Sequence, residues 1–84
     1  MKVSVFDTYV PNGDRTMHFD ILVETGTVPA DVYRYGKTYL NQKGVSNYEL
    51  STQECNFCHI AQAPENVEKA IKSQGYFIIE MENC

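Results

Sequence analysis

KVSVFDTYVPNGDRTMHFDILVE, residues 2–24, is the stretch from which the fold can be read. Lys2–Val10 is rich in β-branched and aromatic residues, which suit a pleated, half-buried surface. Pro11-Asn12-Gly13-Asp14 follows, and Asn-Gly between two such runs is a strong hairpin signal. Arg15–Glu24 then alternates. Met17, Phe19, Ile21 and Val23 point one way, and Thr16, His18, Asp20 and Glu24 the other, with Leu22 as the exception. That is a strand with one packed and one largely wet face.

Beyond the hairpin the period changes. Pro29 stands at a first helical position with Asp31 in the first turn, and Val32, Tyr35, Gly36, Tyr39 and Leu40 form a helical stripe that Gly44 ends. Tyr48–Glu54 alternates again through Tyr48, Leu50 and Thr52, which predicts a third strand. Pro64 opens a second helix with Val67, Ala70 and Ile71 inward, and Gly75 closes it. Tyr76–Glu82 reads as a last strand. The order is ββαβαβ. Crossover-length connections predict that the last three strands run parallel, beside an antiparallel first strand. The expected fold is therefore an α+β two-layer sandwich: a four-stranded mixed sheet with both helices on one face.

At 84 residues the chain forms a single domain, residues 1–84. The net charge of −4 is scattered, and no two of the seven basic residues are adjacent, which argues against a phosphate-neutralising surface, so nucleic acid is not an expected partner. No apolar run approaches the roughly 18 residues of a membrane helix. The N-terminus lacks a secretory pattern, so the expected location is the cytoplasm, where the three cysteines stay reduced.

The chemistry concentrates in Cys55-Asn56-Phe57-Cys58-His59. This C-x-x-C-H stretch allows four readings. Packing comes first, because free cysteines behave as small buried hydrophobes. A metal site, with zinc as the ion, comes next. If strands three and four are parallel, Cys55 and Cys84 emerge at one sheet edge, where Cys58 and His59 begin the crossover, and Cys55, Cys58, His59 and Cys84 form a ligand set. A redox dithiol ranks third, since the main helix starts only at Pro64. Covalent haem ranks last, for want of a flat apolar pocket.

No catalytic residues are expected: there is no glycine-rich phosphate loop and no nucleophile elbow. Asp7, Asp20, Glu24, Glu49 and Glu80 read as solvated strand positions, and His18 beside Asp20 as a surface histidine on the far edge from the cysteines. The competing function is a non-enzymatic interaction module or homodimer. It would use Leu22, Tyr76 and Ile78, joined by Phe6, as a patch on a sheet face left uncovered.

Glu54-Cys55-Asn56-Phe57-Cys58-His59 resembles the E-C-x-F-C-H signature of a family of short bacterial proteins filed as a domain of unknown function. The likeness extends to Val3–Val10 and to Met17-His18-Phe19-Asp20. The resemblance implies a small α+β domain and brings no activity, substrate or cofactor. It does imply that the cysteine–histidine stretch is part of a family pattern.

Overall fold

The hairpin forms at the expected place. In the computed structural model, which describes residues 1–46 and 48–84, β1 (Lys2–Asn12) and β2 (Arg15–Glu24) pair antiparallel from Val3↔Glu24 to Asn12↔Arg15. Gly13 and Asp14 form the two-residue loop. Gly13 alone of the two takes a positive φ, 67°, the type II′ pattern that favours glycine first. Then come α1 (Pro29–Gln42), β3 (Cys55–Gln62), α2 (Glu65–Gln74) and β4 (Tyr76–Glu82). The α+β class, the ββαβαβ order and the single four-stranded sheet with two helices are as expected.

Three features differ from the expectation. The first is the third strand. Residues 48 to 54 form no strand; the strand is CNFCHIAQ itself. Ser51-Thr52-Gln53-Glu54 closes on itself instead: Ser51 N and Oγ donate to Glu54 Oε1 at 2.9 and 3.0 Å, and Gln53 N donates to Ser51 Oγ at 3.2 Å. With Glu54 N donating to Ser51 O at 3.2 Å, these bonds turn the chain tightly. Cys55 N donates to Ser51 O at 2.9 Å and Tyr9 N to Glu54 O at 2.8 Å, which delivers the chain onto the edge of β1.

Strand direction is the second difference. The order is β3-β1-β2-β4 and every neighbouring pair is antiparallel, so the sheet is not mixed. β2 and β3 do run the same way, but β1 separates them. β4 runs against both, because it docks on β2 from Val23↔Tyr76 towards His18↔Glu82.

Helix placement is the third. Val32, Tyr39 and Leu40 of α1 pack with Val10, Met17, Phe19, Ile21, Val23 and Tyr76, whereas Val67 and Ile71 of α2 pack with Val3, Val5 and Leu22. Adjacent strand residues such as Ile21 and Leu22 point to opposite faces. Each helix therefore covers its own side of the sheet, and Leu22 is the centre of a second core. The expected patch dissolves accordingly, with Leu22 buried beneath α2 and Tyr76 beneath α1. Among the described residues no helix is long and apolar enough to cross a membrane.

α2 is short, ten residues, and covers only the end of its face far from the hairpin turn. The other end of that face stays open. The next residues in alternation there are Asp7 and Tyr9 on β1, and Asp20 and His18 on β2.

Candidate functional site

The four residues of the expected ligand set do not meet. Cys55 opens β3 opposite Thr8, buried in the α1 core, where burial pushes its thiol pKa up despite a lowering contact from Thr8. A thiol so placed is held in its neutral, unreactive form. Cys58 lies three residues on, about 10 Å along an extended strand. Cys84 follows β4, on the opposite edge of the sheet, with its Sγ donating to His18 O at 3.3 Å. Cys55 and Cys84 do lie towards the same, hairpin end, but three strand spacings, about 14 Å, separate their strands. Only Cys58 and His59 touch, Sγ to Nδ1 at 3.3 Å, and both are exposed.

A different cluster assembles on the open half of the α2 face. Hairpin register sets Asp7 directly opposite Asp20, and Tyr9 opposite His18. His18 Nε2 lies 3.2 Å from Asp7 Oδ1 and 4.0 Å from Asp20 Oδ1. One ligand atom from each of Asp7, His18 and Asp20 falls within 4.8 Å of the others, the one such group of three among the described residues. Tyr9 stacks flat on His18, with centroids 4.2 Å apart and planes at 11°, and fixes the ring's orientation.

Two carboxylates directly opposite in a sheet repel, and one of this pair, Asp20, is also buried. Asp20 is 6% exposed, and its Oδ1 is fully buried with no hydrogen-bond partner among the described residues. Such an atom is costly unless a proton or a cation reaches it. Burial, together with the facing Asp7, pushes the Asp20 carboxyl up to about 6. The Asp7 carboxyl moves the other way, held low by Asp20 and His18, with a smaller electrostatic contribution from His59. Between their two values one acid is protonated beside one ionised, and above about 6 both carry negative charge that a single cation placed between them would offset.

Both edge strands break step beside this cluster. The β1–β3 register shifts between Val5 and Phe6, and the β2–β4 register between His18 and Phe19. Bulges gather at sheet edges and next to functional sites, where they re-aim side chains. Cys58 is the extra residue on β3, and Met81 on β4.

Sequence reasoning treated Asp7, His18 and Asp20 as solvated. The signal that finds them is hairpin register. Once the loop is set at Gly13-Asp14, paired residue numbers place two aspartates face to face, a conflict that wet strand positions avoid.

Residues 1–81 match the family described as "Domain of unknown function (DUF2024)". The NMR structure of protein NE1680 from Nitrosomonas europaea is similar, with 38% sequence identity and a TM-score of 0.88, over 100% of this chain and 99% of that one. No curated protein matches the chain.

Proposed function

Because the chain belongs to the DUF2024 family, for which no activity is established, we propose a function from its site: a small binding protein that holds one divalent metal ion between Asp7, His18 and Asp20. The observation that carries this reading is Asp20 Oδ1, buried without a hydrogen-bond partner among the described residues and facing Asp7 and His18. A cation there would neutralise the opposed carboxylates and satisfy the orphaned oxygen together. Zinc suits mixed imidazole and carboxylate donors in a small tetrahedral shell, and a three-residue set leaves a position free. The reading concerns binding and assigns no reaction. Three free cysteines suit a reducing cytoplasm.

Native mass spectrometry of the reduced chain with added Zn2+ at pH 7.5 is the test. One ion per chain, lost in Asp20→Asn and in Asp7→Asn, is the expected outcome. Retention of the ion in both variants would reject this site.

Exposure along β3 favours a second reading. Of its eight residues only Cys55 is buried, and Phe57 and Ile60 are 55% and 52% exposed. An edge strand with apolar side chains and an unpaired backbone suits pairing with a second copy of the chain. Light scattering after size exclusion tests it: a dimer that becomes a monomer in Phe57→Lys supports strand pairing, and a wild-type monomer rejects it.

A further inference from the structure

The bulge in β3 has a directional effect on the C-x-x-C-H stretch. Asn56 pairs with Asp7 and therefore faces the open half of the α2 side. In a regular strand the next residue on that side would be Cys58. The extra residue changes this: Phe57 pairs with Phe6, the register shifts, and His59 pairs with Val5. Val5 and Asp7 lie two apart on β1 and share a face, so His59 stands on the face of Asp7 as its diagonal cross-strand neighbour. Diagonal neighbours have Cα atoms about 7–8 Å apart, within reach of a long or aromatic side chain. His59 is exposed.

Resting on the metal reading above, we propose that His59 is the fourth ligand of the site, delivered by the Cys58 bulge, and that Asp7, His18, Asp20 and His59 together take a first-row divalent transition ion such as zinc. Two imidazoles and two carboxylates form a four-donor shell that magnesium and calcium, which prefer all-oxygen surroundings, do not favour. Cys58 is a positioning residue. Its sulfur contacts His59 Nδ1 at 3.3 Å. With the Nδ1 proton directed at sulfur, Nε2 keeps its lone pair for the ion, as the outer hydrogen bond of a metal-bound histidine commonly arranges. The motif and the aspartate cluster are on this view two parts of one site, contributed by β3 and by the hairpin.

Isothermal titration with Zn2+ and absorption spectra with Co2+ test this on the reduced, full-length chain. His59→Ala is expected to bind one Zn2+ more weakly than wild type by at least the roughly ten- to hundredfold that losing an outer-shell partner costs. Asp20→Asn is expected to lose binding altogether. The Co2+ complex should show tetrahedral bands without thiolate charge transfer, and His59→Ala should flatten those bands. If His59→Ala titrates like wild type while Asp20→Asn does not bind, the inference fails and the three-ligand reading stands. A thiolate band that disappears in Cys58→Ser would put sulfur in the place of His59 and overturn the inference. A wild-type chain that binds neither ion would overturn the metal reading and the inference with it.

Discussion

The two halves of the α2 face are built from the same two central strands and have opposite characters. Far from the hairpin turn, Val3, Val5 and Leu22 lie with Ala63 beneath Val67 and Ile71. Near the turn, the same alternation presents Asp7, Tyr9, His18 and Asp20, and no helix covers them. The first half follows the ordinary rule, apolar surface removed from water. The second breaks it, with a carboxylate buried against another carboxylate. Local conflicts of this kind gather where a protein keeps a site at some cost in stability. The comparison separates two roles that one sheet face can hold: the covered half stabilises, and the open half is specialised for an occupant.

The largest effect should come from the covered half. Leu22→Ala removes a side chain at the centre of the α2 core and is expected to destabilise the fold by about 2–5 kcal/mol. That corresponds to a melting temperature lowered by on the order of 10 °C or more in a domain this small. Zn2+ stoichiometry at a temperature where the variant is folded should remain one per chain. A loss of binding there would mean that the two halves are not independent.

The open half should respond with the opposite sign. Asp20 has a folded pKa of about 6, above its unfolded value, so the native state binds more protons between the two. Stability therefore falls as pH rises from about 4 to about 6 and stays reduced above that. Asp7 works against this, since its lowered pKa adds stability above the ordinary carboxylate range that is lost on acidification. Asp20→Asn, measured with chelator present, should be more stable than wild type by about 2 kcal/mol at pH 8. The advantage should vanish below pH 4, where Asp20 is protonated in both states. Urea melts at the two pH values check the sign. An Asp20→Asn chain less stable than wild type at pH 8 would mean that the buried charge is already compensated.

Two smaller changes sharpen the contrast. Tyr9→Ala removes the ring stacked on His18 and should cost about 0.5–1.5 kcal/mol while weakening Zn2+ binding, because the imidazole loses its fixed orientation. Lys69→Ala breaks an exposed pair with Glu65 on the outer side of α2 and should change stability by less than about 0.5 kcal/mol, with Zn2+ binding unaltered. A large effect from Lys69 would imply that α2 is held by charge as well as by Val67 and Ile71.

Much of this architecture was legible in the chain because it depends on neighbours in sequence. Pro29, Pro64 and Gly75 mark helix ends through their own backbone geometry, and β2 and β4 have the bounds their alternation predicts. Tyr48–Glu54 misled because alternation over seven residues was also compatible with a turn, and the Ser51–Glu54 hydrogen bonds favour the turn. Leu22 looked like a break in pattern because periodicity identifies an inward face only when one face is covered. Local pattern was enough for the hairpin, both helices, β4 and the order of elements, but not for β3 or for the Asp7, His18 and Asp20 group. Tertiary structure alone decided that β4 joins β2 antiparallel, that α2 crosses to the second face, and that Asp7 meets Asp20 and His18. Those outcomes depend on register and docking between residues distant in the chain, and the one-residue bulge at Cys58, which swings His59 to their side, leaves no trace in local propensity.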